Sequence, residues 1–355
     1  MNVLTGYIVR EMLKGTFVAV TILLMLFNLF TFSDELGDLS ETYGLKEIFY
    51  YLALTTPGIF CELIPASGLL GSLFILGAMA NNRELIVMRA SGLSIFGIIR
   101  AVMLAGFFLV IASILIGEFV APHTERMAKI LRLTAQNRQL EINSDYGIWL
   151  REDKKFISVR QIIDDHNLAD ISIYELNEKR HLQQALHADS AIFLGNQQWE
   201  LKGIKFSEIS TQQILASQQE HLLWLTSIAP NLLRSAVINP NNLTFVDLSH
   251  YIDFLKKNHQ KSHIYELAFW ERIVNPLVIF IMLLLSAPFI ISVHRGVSVG
   301  ERMMIGIVIG MGFNIIDKVV GHLGLIYALN PILIAFIPSL SMLIFALYFV
   351  NRMRN

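Results

Sequence analysis

Long apolar runs alternate with short polar breaks along most of this chain, and one central block departs from that pattern. The runs extend from about Thr16 to Ser33, Leu45 to Ala80, Ile95 to Val120, Leu267 to Val293, Met303 to Val320 and Pro331 to Val350. A helix needs about 20 apolar residues, rising about 1.5 Å each, to cross about 30 Å of hydrocarbon. Six membrane-spanning helices are therefore predicted. The second run is too long for one straight span and carries Pro57 and Pro65, which predicts an interfacial or kinked first half followed by the span proper. The first run is too long for a signal-peptide core and has no small-x-small cleavage site, so it reads as a retained first helix.

Between the third and fourth runs the period changes. Short pieces such as "GIWL", "KFISVRQI", "ADISIYEL", "SAIFLG", "QWELKGIKFSEI" and "EHLLWL" are separated by turn signals such as "DDHN", "LNEKR" and "LGNQQ". In "DISIYEL", Ile171, Ile173 and Glu175 share one side while Ser172, Tyr174 and Leu176 share the other, as in a half-buried strand. The block, about Ala121 to Tyr265, predicts a small β-sandwich or jelly roll outside the membrane. It ends in "NLTFVDLSHYIDFLKKNH", where Phe245, Leu248, Ile252 and Leu255 recur on one helical face. The predicted fold class is an α-helical membrane protein with six transmembrane helices and an inserted β-jelly-roll domain. Its predicted segments are 1–125 (spans one to three, with a short polar helix near 81–92), 126–265 (the β domain and return helix) and 266–355 (spans four to six).

Composition agrees: 54% of residues are hydrophobic and only 16% charged, a membrane protein's profile. The formal net charge of -1 hides segregated charge and says nothing about partners. Orientation comes from the short loops. If the helices alternate, Arg10, Lys14, Arg83, Arg89, Arg100, Arg295, Arg302, Arg352 and Arg354 fall on one side, against Lys46 and Lys318 on the other. Both termini are therefore expected in the cytoplasm and the β domain outside. A single cysteine, Cys61, excludes an intrachain disulfide.

The chain holds no G-x-x-x-x-G-K-[ST] phosphate loop, no G-x-S-x-G elbow and no H-E-x-x-H zinc helix. His259 and His263 have metal-ligand spacing, but Lys256, Lys257 and Lys261 around them would repel a cation, and a solvated basic linker is the better reading. The ionisable groups in or near spans are Glu62, Glu118, Glu271 with Arg272, and Asp317 with Lys318. Each would be costly at mid-bilayer. Their places near span ends, two of them in adjacent pairs of opposite sign, suit interfacial anchoring better than ion coupling.

One island remains, "ANNRELIVMRASG" at 80–92. Asn81 or Asn82 can cap a helix, Glu84 falls in its first turn, and Gly92 supplies a stop. Leu85, Met88 and Arg89 share a face. Such a helix could dock in a groove of a soluble partner; an ordinary interfacial connector would look the same.

Taken with "GEFVAPHTERMA" closing the third span, "ISIYELNEKRHLQ" in the insert and "HYIDFLKKN" followed by "YELAFWERIVNPL" entering the fourth, the island resembles the coupling helix of the LptF/LptG permeases. These are membrane subunits of the ABC transporter that extracts lipopolysaccharide from the bacterial inner membrane. The resemblance covers essentially the whole chain, and "GEFVAP" and "ISIYELN" fit the LptG branch better than the LptF branch. It implies a non-enzymatic multi-pass inner-membrane subunit with a periplasmic β domain and no cofactor of its own. Implied partners are an LptF-like permease, two cytoplasmic LptB-like ATPases that bind the ATP, and periplasmic LptC/LptA-like bridge components. The implied cargo is lipopolysaccharide or lipooligosaccharide, admitted between the first span of one permease and the fifth of the other; no nucleic-acid partner is expected. Arg83, Glu84, Leu85, Met88 and Arg89 would couple to the ATPase.

Lys129 and Arg132 match basic positions of LptG-like chains and would meet head-group phosphates; Arg126 is a further candidate, and Lys318 rests on its place alone. The chain departs from some relatives in showing Thr31 and Gly58 where a lysine stands, beside the acidic Asp34, Glu35 and Asp38. Three other roles stay open at this point: the LptF role in the same complex, a membrane scaffold docking a periplasmic partner, and an ion-coupled transporter using Glu62 or Glu118.

Overall fold

The computed structural model describes residues 3–40, 42–135, 148–163, 166–177, 181–209, 213–226, 228, 230, 233, 240, 243–291 and 299–352. Two compact units emerge, one made of 1–128 with 266–355 and the other of 129–265.

The first unit is helical. Helix α1 (Val3–Leu36) and α2 (Leu45–Asn81) form an antiparallel hairpin, α3 (Glu84–Ala90) is short, and α4 (Ile95–Leu115) runs through a π-helical segment (Ile116–Val120) into α5 (Ala121–Ala135). Helices α7 (His263–Ile291), α8 (Val299–Ile326) and α9 (Pro331–Arg352) complete the unit. Among the described residues six helices are long and apolar enough to cross a membrane. The second is one continuous helix of 37 residues with Pro57 and Pro65 inside it, where two separate pieces were one of the expected forms. Neighbouring helices and hydroxyls can satisfy the carbonyls that a proline strands. Here the stranded carbonyls are those of Ala53 and Cys61; on the turn before Pro57, Thr55 donates to the Tyr51 carbonyl at 3.1 Å and Thr56 to that of Leu52 at 2.7 Å.

The α1–α2 hairpin is tight because its backbones touch. A methyl group at Gly71 would overlap the backbone of Gly15 and Thr16, and one at Gly15 would overlap the Ile75 side chain. At the loop end Tyr43, fully buried, donates to Glu35 at 2.9 Å. Two apolar clusters hold the unit together. One joins Ile8 and Met12 of α1, Leu76 and Met79 of α2, Ala101 and Ala105 of α4, and Ile279 and Leu283 of α7. The other joins Leu69 and Leu73 of α2, Val278 and Met282 of α7, Phe313 of α8 and Ile334 of α9.

The second unit is a six-stranded antiparallel sheet: β1 (Ile148–Glu152), β2 (Lys155–Ile162), β3 (Asn167–Leu176), β4 (Leu182–Gly195), β5 (Gln198–Ile209) and β6 (Ile214–Leu225). Strand order is sequential, β1 to β6. The described strands thus form a meander rather than the Greek-key order of a jelly roll. Its core arises by an interruption of the pleat. Two cross-strand rows face the same core: Val159, Ile171, Ala188 and Ile204, and then Ile162, Leu168, Ala191 and Leu201. They stand three residues apart in every strand, where strict alternation would place them on opposite faces. Asp170 (φ 52°) and Gly203 (φ +67°) lie between the rows, and the left-handed backbone there turns the pleat over without changing the register between strands.

Trp199, fully buried, centres this core and donates from Nε1 to the Ile228 carbonyl at 2.8 Å. Helix α6 (Phe245–Lys257) adds Tyr251, Phe254 and Leu255. Its buried face is Leu248, Tyr251, Phe254 and Leu255, not the predicted Phe245, Leu248, Ile252, Leu255 stripe; Phe245 is exposed. Two aromatic rings outcompete one aliphatic side chain for the core because they bury more area.

Candidate functional site

The polar island folds as the seven-residue helix α3, but its start differs from the expectation. Helix α2 continues through Asn81, and the α3 N-cap is Arg83, with φ 63° and no side-chain cap bond. Gly92, at φ +96°, ends the turn beyond the helix as predicted. Leu85 and Met88 are buried in the cluster with Ile8 and Met12. They fasten α3 to its own bundle and are not available to a partner. The outward face is Arg83, Ile86, Val87, Arg89 and Ala90, and Ile86 and Val87 are 61% and 66% exposed. Sequence reasoning missed this adjacent apolar pair. The signal lay in the helix length: two turns tethered at both ends must bury one apolar face locally, and apolar residues left over face out.

Glu84 stands at the first helical position. Its carboxylate accepts from the Tyr7 hydroxyl at 3.1 Å and from Asn82 Nδ2 at 3.4 Å. Tyr7 belongs to the second turn of α1, so α1 and α3 are joined by a polar contact as well as by packing.

The basic candidates divide. Arg126, Lys129 and Arg132 all lie on α5, and Lys129 is exposed while Arg126 and Arg132 are half-buried. Glu125, Lys129 and Arg132 follow at four- and three-residue steps and so share one stripe. Glu125 itself lies against Gly58, where a methyl group would overlap its carboxylate. The residue standing in place of an expected lysine thus makes room for a carboxylate.

Lys318 of α8 is not alone. Its ammonium reaches Glu62 of α2 at 3.0 Å, whereas the adjacent Asp317 points elsewhere on the helix. Likewise Arg272 pairs with Glu118 at 2.8 Å and not with its neighbour Glu271. Residues i and i+1 diverge by about 100° on a helix, so the adjacent pairs of opposite sign in the sequence become ties between helices. Among the described residues no group of three or more histidine, cysteine or carboxylate side chains could hold a metal.

These features belong to a chain whose whole length has known relatives. A family model described as "Lipopolysaccharide export system permease LptF/LptG" matches residues 6–352. The chain belongs to this family. A protein named "Lipopolysaccharide export system permease protein LptG" from Haemophilus influenzae is 30% identical over 357 residues, covering 100% of both chains. One of the same name from Escherichia coli K12 is 31% identical over 354 residues, covering 99% of this chain and 98% of the relative.

Proposed function

We propose that this chain is an LptG-type permease subunit, which extracts lipopolysaccharide or lipooligosaccharide from the inner membrane and passes it to a periplasmic bridge. Both termini lie in the cytoplasm in this reading, and the β unit is periplasmic and serves as the jelly-roll-like module. The observation that carries the reading is the docking helix. A chain with no nucleotide motif carries a short helix tied to its first span through Glu84, with Ile86 and Val87 directed outward. Energy must come from a separate chain, an LptB-like ATPase bound at α3, and an LptF-like permease completes the membrane part.

The energetics of the cargo agree with the helix surfaces. Exposing one twelve-carbon acyl chain to water costs on the order of 10 kcal/mol at about 0.8 kcal/mol per CH2. Lipid must therefore stay against apolar protein or membrane throughout. The apolar windows of α1 and α8 are only 17% and 11% buried. These first and fifth spans offer the broad apolar faces that a partner permease and acyl chains would share. Lys129, Arg132, Arg126 and Lys318 are the cations offered to head-group phosphates.

The test is purification of the chain from native membranes in mild detergent, with mass spectrometry of co-purifying proteins and lipid. A second permease, a soluble ATPase and lipid A together are expected. Recovery with an LptG-like protein as the partner would reassign the chain to the LptF role. A lone chain without ATPase or lipid under gentle extraction would leave a scaffold and overturn the proposal.

A further inference from the structure

The continuous helix from Ile95 to Ala135 is interrupted once, by the π-helical segment Ile116–Val120. The sequence explains the interruption. In an unbroken α-helix the ring of Pro122 would meet the carbonyl of Glu118, four residues back. A π turn widens the spiral there and relieves the clash. The Ala121 N–H bonds to the Ile116 carbonyl, five residues back, and so no longer serves Gly117. The next backbone nitrogen is Pro122, which has no hydrogen. The Gly117 carbonyl is thereby deprived of both its α and its π donor.

Arg272 of α7 takes that place. Its Nη1 donates to the Gly117 carbonyl at 3.3 Å and to Glu118 Oε2 at 2.8 Å. Arg272 and Glu118 are mostly buried, their side chains 19% and 25% exposed. The two helices also meet at a second level, where a methyl group at Gly106 would press on Leu283 and Phe280. From Gly106 to Glu118 is twelve residues, and from Leu283 to Arg272 eleven, as expected of antiparallel neighbours.

A π turn adds one residue to a helix, which rotates everything beyond it by about 100°. The stripe carrying Glu125, Lys129 and Arg132 begins only three residues after Pro122. We infer that Arg272 is a positioning residue: it holds the π turn open and so sets which way the basic stripe of α5 faces. This inference rests on the proposed reading only where it assigns the stripe to phosphates. The rotation itself is a property of the chain.

The test uses the full complex in membranes, in a Cys61→Ser background, with single cysteines placed in turn at 123–131 and labelled with a polar maleimide. The unaltered chain is expected to label with a clear helical phase. Arg272→Gln and Pro122→Ala are each expected to shift the maxima by about one residue. Arg272→Lys, which keeps a charged donor for Glu118 where Gln does not, is expected to leave the phase unchanged. In the Pro122→Ala background Arg272→Gln is expected to add nothing, because residue 122 then supplies its own N–H. Pro122→Ala favours helix, so it keeps the test open should Arg272→Gln fail to fold. An unchanged phase in Pro122→Ala or in a folded Arg272→Gln overturns the inference. Photo-crosslinking of lipid A from position 129 is read separately. A shifted phase with undiminished crosslinking supports the joint and counts against the phosphate reading alone.

Discussion

The Tyr7 hydroxyl donates to the Glu84 carboxylate at 3.1 Å across 77 residues of chain, tying the start of α1 to the start of α3. Ile8 and Met12 of α1 and Leu85 and Met88 of α3 also belong to one apolar cluster. The Tyr7–Glu84 bond is therefore a joint through which α3 could act on α1.

Removing the joint without removing its carboxylate separates docking from transmission. Tyr7→Phe keeps the ring and loses one hydrogen bond, about 1 kcal/mol, or roughly fivefold in the equilibrium it biases. The ATPase is expected to co-purify normally while lipid release per ATP hydrolysed falls severalfold. Glu84→Ala is expected to weaken ATPase association itself, on the order of tenfold or more. Equal coupling ratios in Tyr7→Phe and unaltered protein would sink the transmission role of this contact.

The outward pair makes a contrasting prediction. Ile86→Asp and Val87→Asp alter exposed positions, so the membrane unit should stay folded while ATPase binding is lost. Leu85→Ala and Met88→Ala alter buried ones and should cost about 2–5 kcal/mol of stability. Thermal aggregation of the detergent-solubilised chain, measured beside ATPase pull-down, distinguishes the two classes. ATPase retention in Ile86→Asp would move the docking surface off this face.

How much of this was legible in the sequence depends on how far apart the cooperating residues lie. The six spans follow from local apolarity, and the α3 island from its two flanks. The orientation of α3 did not, since Leu85 and Ile86 differ only in which neighbour they meet, and that neighbour is 77 residues away in the case of Ile8 and Leu85. The ion pairs were hidden for the same reason: Arg272 stands beside Glu271 in the sequence, yet its partner Glu118 is 154 residues distant. In the β unit the alternation of "ISIYEL" was readable, whereas the three-residue step from Leu168 to Ile171 was hidden in Asp170, whose positive φ has no sequence signature as clear as glycine's.

Gly203 shows what that step costs to maintain. Its φ is +67°, and an added methyl would overlap the Asp189 carboxylate. The carboxylate can swing aside, so the lasting penalty for Gly203→Ala is backbone strain of about 1–2 kcal/mol. A loss of that size in denaturant unfolding of the β unit is expected, and Asp189→Ala should restore little of it. Full recovery in the double variant would show that overlap, not φ, sets the requirement.

Alkaline pH should loosen α6. Burial, reinforced by Tyr265, raises the Tyr251 phenol above its ordinary value of 10.0. The folded state thus favours the neutral phenol. Its contribution is complete below the unfolded value and declines as pH rises above 10. Amide exchange in α6 is expected to accelerate above that pH, and less so in Tyr251→Phe. Identical pH profiles would mean that other groups govern the loosening.

The Glu62–Lys318 pair decides whether Lys318 can serve a phosphate. Its members are 53% and 70% exposed at 3.0 Å, and exposed pairs hold together by about 0–1 kcal/mol. A phosphate offers more negative charge and three acceptor oxygens, and charge-assisted bonds to it are stronger than that. If Lys318 serves a head-group phosphate, as proposed, displacement of Glu62 by cargo is expected to be favourable, with Glu62 a placeholder that competes with lipid. Glu62→Gln should raise photo-crosslinking of lipid A near position 318 severalfold, Lys318→Gln should abolish the gain, and the double variant should match Lys318→Gln alone. If Glu62→Gln instead lowers crosslinking, the carboxylate is contributing to lipid capture, and Lys318 is held for the fold and not for the cargo.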